Sequence, residues 1–406
     1  MTLPDSLSRR LPAGVDVLAS SIRRSRLALA WRRLGLARVQ GRCAASGRTA
    51  TVVVAGESPV NNYILQTVFD GATERTPLGR CWLGALPKRL RDLEQDADLL
   101  IARVETGVSE WLFGDTGLRL PESIDARIAV PGPDERWPPT HSARSNTKRV
   151  VRNALTWSIS RDPADFDLFY DEMYVPFVRD RFGALGTVTS RTALRYRFAR
   201  GGLQWIWQGS DRVGGQVLEP EGRQLRCVVM GCDPARNAAQ LGLVAATFLF
   251  AMEYARRHGF DVVDRGGTLP SLCDPVLTSK HFWGADFATR SRATHDLLVV
   301  WPAWNSLAAT FLASFAPIHR DGTDLIGFTA RHPDDPAGKR RRVPRLDLRG
   351  LSKLFAVGAA DPASANRVPV TEIEPGSSKR IVSAAKRMPV DPSADQSDRS
   401  RSRAMS

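Results

Sequence analysis

The residues with the clearest chemical potential follow one apolar segment in the second half of the chain. The segment "DVVDRGG" contains Asp264 and Gly266, and "SKHFWG", with Lys280 and Gly284, comes one loop later. A lysine ammonium can balance the charge of a phosphate or of a developing oxyanion, and a carboxylate can accept a proton or orient an amine. Both residues are therefore candidates for a functional site; a surface lysine and a turn-capping aspartate are the simpler alternatives.

Two further sets of side chains lie near these residues in the sequence or on a preceding helix. Cys273 and His281 are eight residues apart and could form a nucleophile and its base, although free cysteines are commonly buried packing residues. Tyr170 and Tyr174 lie one helical turn apart, with Arg181 further along the same segment. They are candidates to line an acceptor groove, and core packing of the tyrosines explains them equally well.

The loop "CDPARNAAQLG" leads into a long apolar helix. Free backbone N–H groups at a helix N-terminus, together with the helix dipole, bind anions such as a pyrophosphate. The candidate binding residues are Asn237, Ala238, Ala239, Gln240 and Gly242. An ordinary capped helix would give the same pattern.

A sheet that opens beside that helix has to position these residues. Three apolar segments separated by turns, "LQWIWQ", "VGGQVLE" and "QLRCVVMG", predict an antiparallel meander. A helix over 239–257, a parallel strand in "DVVD" and a helix near 277–282 follow. An earlier helix is predicted to begin with Asp162 as N-cap and Pro163 at its first position, and to end at Gly183. The ligand site of such a sheet lies at the carboxyl ends of the separating strands.

The same alternation of strands and helices predicts an α/β fold, a mixed sheet flanked by helices, in two units. The first unit covers 49–130, a proline-rich linker covers 131–146, and the second unit covers 147–330 and includes the strand "THDLLVVW". Residues 331–406 are rich in proline, serine and charge, which predicts a mostly disordered tail. Within it, "LRGLSKLFAV" is predicted to form a short docked helix.

The net charge of +14 is concentrated at the two ends. Residues 1–50 contain ten arginines and two aspartates, and 331–406 contain sixteen lysines and arginines against nine acidic residues. The body is therefore nearly neutral, which argues against a basic groove through the fold. Within the basic N-terminal segment 1–48, residues 14–37 predict an amphipathic helix that either docks on its own domain or contacts an anionic membrane.

The cysteine pattern bears on compartment and metal binding. The five cysteines are scattered and show no Cys-x-x-Cys spacing, which argues against a disulfide framework and a zinc site. We therefore expect a cytoplasmic protein without a metal.

The second unit resembles the GNAT superfamily and is most similar to its FemAB-like branch, whose members typically contain two GNAT-like units. The resemblance covers 147–300, and 49–130 by analogy. Its most specific parts are the "FYDEMY…RFG" helix and the Asp264-x-Gly266 … Lys280-x-x-x-Gly284 pair. The resemblance implies direct transfer of an acyl group from acyl-CoA to an amine, without a covalent intermediate. It places Asp264 and Lys280 in the catalytic site and Gly266 and Gly284 at the substrate.

The resemblance also implies the partners. The acceptor would be a small or lipid-linked amine, such as an amino sugar or a cell-envelope precursor. Peripheral contact with the inner membrane face is expected separately, from the basic residues 14–37. The family's phosphate loop, Gln/Arg-x-x-Gly-x-Gly/Ala, is not intact in either register near Gly242. Two alternatives therefore stay open. One is an aminoacyl-tRNA-dependent transferase, the only case in which nucleic acid is expected as a partner, and the other is a non-catalytic GNAT-like scaffold.

Overall fold

Alternating apolar segments and amphipathic helices assemble into three mixed sheets flanked by helices. A computed structural model of the chain describes residues 32–132, 134–183, 186–290, 294–330, 348–357, 370–373 and 381–382. Within these residues the sheets have six, seven and five strands. The prediction of an α/β fold with a mixed sheet flanked by helices is confirmed.

The strands are β1 (Arg33–Cys43), β2 (Thr49–Ala55), β3 (Phe69–Trp82), β4 (Leu99–Glu105), β5 (Leu118–Pro121), β6 (Ile124–Ala129), β7 (Leu155–Ser160), β8 (Gly202–Gln208), β9 (Asp211–Glu221), β10 (Gln224–Cys232), β11 (Val262–Thr268), β12 (Asp286–Thr289), β13 (His295–Val300), β14 (Ile318–Asp321), β15 (Asp324–Ala330), β16 (Leu351–Val357), β17 (Val370–Ile373) and β18 (Ile381–Val382). The α-helices are α1 (Pro59–Val68), α2 (Leu86–Leu93), α3 (Thr106–Phe113), α4 (His141–Arg152), α5 (Pro163–Leu168), α6 (Val175–Phe182), α7 (Arg191–Arg200), α8 (Ala238–Leu241), α9 (Leu243–Arg257), α10 (Pro275–Phe282) and α11 (Ser306–Ser314).

The seven-stranded sheet has the order β12-β6-β11-β10-β9-β8-β7. The predicted meander is confirmed, because β8, β9 and β10 pair antiparallel. Helix α9 then connects β10 to β11, which pairs parallel to it. Ten residues of α9 are buried, among them Phe248, Phe250 and Met252, and this packing holds the helix against the sheet.

The helix predicted from Asp162 to Gly183 forms with an interruption. Asp162 caps it by accepting a hydrogen bond from the Ala164 N–H, and Gly183 ends it, as predicted. Between α5 and α6, residues Phe169–Tyr174 form a π-helical turn. This turn packs on Gly231 of β10, where a Cβ atom would come within 2.8 Å of the Tyr174 backbone.

The boundary predicted between 49–130 and 147–330 does not separate the two large sheets. The six-stranded sheet has the order β3-β1-β2-β4-β13-β5, so β13 from the second unit lies between β4 and β5. In return, β6 from the first unit lies between β11 and β12 of the seven-stranded sheet. Each sheet therefore depends on one strand from the other part of the chain.

Three predictions near the ends need correction or lie outside the described residues. Residues 33–37, the end of the predicted helix 14–37, belong to β1, because they pair with β3. The segment "LRGLSKLFAV" forms strand β16 rather than a helix, and it pairs parallel to β15. Residues 1–31 and most of the predicted disordered tail lie outside the described residues. Among the described residues, no helix is both long and apolar enough to cross a lipid bilayer.

Candidate functional site

A cleft lies where β10 and β11 stop pairing. The two strands pair only over Gln224–Arg226 and Val262–Asp264, although both continue further. A β-bulge between Cys227 and Val229 also shifts the register of β10 against β9. The resulting cleft has a volume of about 440 Å³ and is bounded by β10, β11 and the helices α6, α9 and α10. This matches the predicted position at the carboxyl ends of separating strands.

The cleft is lined mainly by apolar side chains, together with three positively charged ones. Apolar walls come from β10, which contributes Val228, Val229 and Met230, and from Val244 and Phe248 of α9. The charged members of the described lining are Arg181, Arg265 and Lys280, and none is a carboxylate. Such a lining suits a ligand with an apolar chain and a carbonyl or anionic group.

Lys280 lies on α10 with its ammonium group inside the cleft wall. Its Nζ donates hydrogen bonds to the carbonyl oxygens of Gly266 and Gly267, at 2.9 and 2.8 Å. The side chain is only 7% exposed. Burial, with the neighbouring Arg265 guanidinium, lowers the pKa of Lys280 to about 8. At neutral pH the group is still mainly protonated, so it acts as a hydrogen-bond donor and a positive charge.

Arg265 is a cleft residue that was not among the predicted site residues. Its guanidinium lies over the Phe248 ring, 3.9 Å from the ring centroid. It donates hydrogen bonds to Gln216 Oε1 and to the carbonyl and hydroxyl oxygens of Thr247, at 3.1–3.2 Å. The period of two in a strand was the available signal, because Arg265 must face the same side of β11 as the buried Val263.

Asp264 faces away from the cleft, whereas the resemblance places it in the catalytic site with Lys280. One carboxylate oxygen accepts hydrogen bonds from Gln224 at 2.9 Å and Arg226 at 3.1 Å, and the other from the Gly266 N–H at 2.7 Å. The residue is 2% exposed. Because alternate side chains in a strand point to opposite faces, Asp264 cannot share a face with Arg265. Its contacts fix the β11 turn rather than reach a substrate in the cleft.

The predicted phosphate-binding segment is a short helix that is already capped. The Asn237 side chain accepts hydrogen bonds from the N–H groups of Ala239 and Gln240, and the Gly242 N–H bonds to the Ala238 carbonyl. These backbone donors are therefore occupied and do not form the predicted anion site. Helix α9 begins after Gly242, whose φ of 78° changes the direction of the chain. The first turn of α9 reaches the cleft through Val244.

The predicted acceptor-groove residues divide between the cleft and its support. Tyr174 and Arg181 line the cleft. Tyr170 donates a hydrogen bond to the Thr189 carbonyl, while the Tyr174 hydroxyl accepts one from the Thr189 N–H. The two tyrosines therefore share a face, as their spacing indicates, and together they hold Thr189 at the rim of the cleft.

The two predicted glycines have different positions. Gly266, with φ of 72°, presents its carbonyl to Lys280 and so belongs to the cleft wall. Gly284, with φ of 87°, follows the end of α10 and lies against Pro139 and Arg349. It ends a helix and does not line the cleft, which corrects its predicted contact with substrate.

The cysteine and histidine considered as a nucleophile pair do not line the cleft. Cys273 packs against the core formed around α9, and His281 is 8% exposed on α10. All five cysteines are free thiols. Among the described residues, no group of three His, Cys, Asp or Glu side chains lies close enough to hold a metal ion.

Comparisons with known proteins give matches of low similarity among solved structures. No family model and no curated protein matches the chain. Among solved structures, L-PGS from Bacillus licheniformis is 12% identical with a TM-score of 0.31, covering 67% of this chain and 86% of its own. FemX is 12% identical with a TM-score of 0.34, covering 67% and 90%. A GCN5-related N-acetyltransferase from Sphaerobacter thermophilus is 13% identical with a TM-score of 0.29, covering 63% and 78%. At these scores the assignment of function rests on the cleft itself.

Proposed function

We propose that the protein is an N-acyltransferase that moves an acyl group from acyl-CoA to an amine by direct attack. The observation that carries this proposal is the buried ammonium of Lys280, which lies in an apolar cleft whose described lining contains no carboxylate. An acyl chain fits apolar walls. A carbonyl oxygen that becomes negative during the reaction is stabilised by fixed, positively charged hydrogen-bond donors beside it.

Lys280 is proposed as the group that stabilises this oxygen. Its two hydrogen bonds to Gly266 and Gly267 use two of its three protons and fix the position of Nζ. One donor is then left for a substrate carbonyl. Arg265, held by Phe248 and Thr247, adds a second fixed positive charge nearby. Neither cation has to reorganise when charge develops, which is the source of the catalytic effect.

The proton balance of the step does not require Asp264. The neutral amine nitrogen attacks the thioester carbon and forms the new C–N bond. The carbonyl oxygen carries the negative charge until the C–S bond breaks. The coenzyme A thiolate that leaves then takes the proton from the nitrogen, so that an amide and a free thiol are formed. Asp264 keeps its place as a structural carboxylate behind β11.

The donor is proposed from the chemistry of the cleft and from the basic helix beside it. Helix α4 exposes Lys148, Arg149 and Arg152, and the Arg149 guanidinium reaches the Ala239 carbonyl at the start of α8, at 3.5 Å. This face is a suitable place for the phosphates of a donor, because it adjoins the helix starts near Gly242. It replaces the capped N–H groups as the anion-binding element. An aminoacyl-tRNA ester would use the same carbonyl chemistry and remains the alternative donor.

The acceptor is proposed to be a small or lipid-linked amine, an amino sugar or an envelope precursor among them, in the cytoplasm. Peripheral contact with an anionic membrane through residues 14–37 also remains a proposal, now limited to the part before β1.

Ligand binding and thiol release test the proposal together. Acetyl-CoA or palmitoyl-CoA at about one hundred times its Kd should stabilise the full chain by about 2.7 kcal/mol. For a chain of this size that corresponds to a rise in melting temperature of roughly 3 °C. With a panel of amines, the wild type should release coenzyme A thiol. Lys280→Met should slow this release by about a hundredfold while the thermal shift largely remains.

A matched control separates this role from a general loss of lysine charge. Lys88 is an exposed lysine on α2, and Lys88→Met should leave both the thermal shift and the thiol release unchanged. The absence of a thermal shift with every acyl-CoA would refute this donor, and the same assay would then be run with aminoacyl-tRNA. Binding of acyl-CoA without turnover of any amine would favour the non-catalytic scaffold.

A further inference from the structure

A second cavity lies behind β11, on the side that carries Asp264. It also has a volume of about 440 Å³ and lies where the seven-stranded sheet meets the end of the six-stranded one. Its walls include Ser123 and Asp125, which belong to the β5–β6 region, and Arg226 of β10. Ser123 is also the neighbour of Gly267, because a Cβ on this glycine would lie 2.0 Å from the Ser123 hydroxyl. The Gly266–Gly267 segment therefore separates this cavity from the cleft.

The lining of this cavity carries both signs of charge, unlike that of the cleft. Arginines at 127, 197, 226 and 290 face it together with Glu122, Asp125 and Glu221. The polar surface of the cavity is therefore able to bind a cation and an anion at the same time. The cleft, by contrast, has three cations and no carboxylate in its described lining, so its charged side chains can bind an anion but not a cation.

Asp125 is the acidic residue with the least compensation. It is only 5% exposed, and among the described residues its carboxylate contacts two guanidinium groups, Arg127 at 3.6 Å and Arg290 at 3.7 Å. Both distances exceed a hydrogen bond. Burial raises the pKa of Asp125, and the nearby Asp264 carboxylate acts in the same direction. A buried carboxylate without a hydrogen bond is costly, and a ligand donor would remove that cost.

The arginines around Asp125 differ in how far they are already engaged. Arg226 is occupied by Asp264 at 3.1 Å and Glu221 at 3.0 Å. In the described part of the chain, the side-chain ion pairs of Arg127 and Arg290 are limited to these long contacts with Asp125. Two guanidinium groups that can donate further hydrogen bonds therefore flank one carboxylate that can accept further ones. A molecule that carries an amine and an acidic group a short distance apart could bind to both.

We propose that this cavity binds a small zwitterion, with its ammonium group on Asp125 and its anionic group on Arg127 and Arg290. The cavity holds the equivalent of roughly fifteen water molecules, which is room for a dipeptide-sized ligand. This site goes beyond the proposed acyl transfer, and binding to it does not depend on an acyl donor. The two proposals can therefore fail separately.

Calorimetric titration of the full chain with three related probes tests this site. L-Alanyl-L-alanine carries both charges, its methyl ester carries only the ammonium, and N-acetyl-L-alanyl-L-alanine carries only the carboxylate. We expect the zwitterion to bind at least tenfold more tightly than either derivative. Asp125→Asn should weaken the zwitterion at least tenfold and abolish its advantage over the N-acetyl form. Arg290→Met, at a half-exposed side chain, should abolish its advantage over the ester.

The control is Asp70→Asn, which removes an exposed carboxylate on β3 and should leave all three titrations unchanged. Arg290→Met serves as the second variant if Asp125→Asn does not fold. The proposal is overturned if the zwitterion shows no advantage over its derivatives, or if it does not bind at millimolar concentration. It is also overturned if the folded Asp125 and Arg290 variants bind like the wild type.

Discussion

Replacing Lys280 with methionine should change the pH dependence of stability rather than simply its level. The pKa of Lys280 falls from the ordinary 10.5 to about 8 in the folded protein because the ammonium is buried. In the unfolded chain it returns to its ordinary value. Between these values the unfolded state binds more protons than the folded state, so unfolding becomes less favourable as the pH rises. Methionine has similar length and no proton to exchange, so it removes this effect.

The magnitude follows from the size of the pKa shift. Each pKa unit corresponds to about 1.4 kcal/mol, so the full difference is roughly 3 kcal/mol. Below about pH 8 the lysine is protonated in both states and contributes no pH dependence. From about pH 7 to about pH 9.5, the free energy of unfolding of the wild type should rise by about 2 kcal/mol relative to Lys280→Met. By about pH 10.5 the difference should approach 3 kcal/mol.

Urea unfolding of both proteins at a series of pH values measures this difference. Every other titrating group is common to the two chains, so subtracting the curves isolates Lys280. Lys88→Met on the exposed face of α2 is the control, and its difference from the wild type should stay flat. A difference between wild type and Lys280→Met that stays constant within about 0.5 kcal/mol from pH 7 to 9.5 would refute the reasoning. The ammonium would then not be desolvated, and its proposed role would lose its physical basis.

Two other perturbations test a close backbone contact beside the cleft and a buried ion pair between the other two sheets. Gly231→Ala places a methyl group 2.8 Å from the Tyr174 backbone, so it should destabilise the fold by about 1–3 kcal/mol and weaken any acyl-CoA thermal shift. Gly35→Ala, which meets no atom within 4 Å, is its control and should be near neutral in the same melting assay. Asp296→Leu should cost about 3–5 kcal/mol in urea unfolding, because it removes the fully buried carboxylate that pairs with the Arg320 guanidinium at 2.7 Å and leaves only the exposed Glu110 as its acidic partner among the described residues. Adding Arg320→Met should recover most of that loss, and a double variant no more stable than the single one would contradict this account.

Local features of the fold could be predicted from the sequence because local chemistry determines them. The cap at Asp162, the stop at Gly183 and the meander β8–β10 each depend on residues that are near one another in the sequence, the widest pair in the meander being Gly214 and Cys232. The exchange of β6 and β13 could not be predicted in this way. Both segments have the pattern of ordinary apolar strands, and this pattern does not indicate which sheet each strand joins.

In the candidate site, too, some features follow from the local sequence and others only from the three-dimensional structure. The resemblance singles out Lys280 through the spacing of Asp264, Gly266, Lys280 and Gly284, and this lysine does line the cleft, although its catalytic role stays a prediction. The alternation along β11 puts Asp264 and Arg265 on opposite faces of the strand, so that Arg265, which is not among the predicted site residues, lines the cleft and Asp264 does not. The Asn237 cap was read as an anion site because free and capped N–H groups look alike in a sequence. Only the geometry of the side chain distinguishes the two.

The exchange of β6 and β13 between the sheets also delays the completion of each sheet during synthesis of the chain. While the chain is being synthesised, β4 has to wait for β13, which begins at His295, before its free edge is covered. At about 5–20 residues per second this delay lasts roughly 10–40 seconds, during which an apolar strand edge is open to other chains. Cutting the chain between β6 and β13 would divide both sheets at once. Two such fragments should therefore aggregate when made separately and become soluble only when they are produced together.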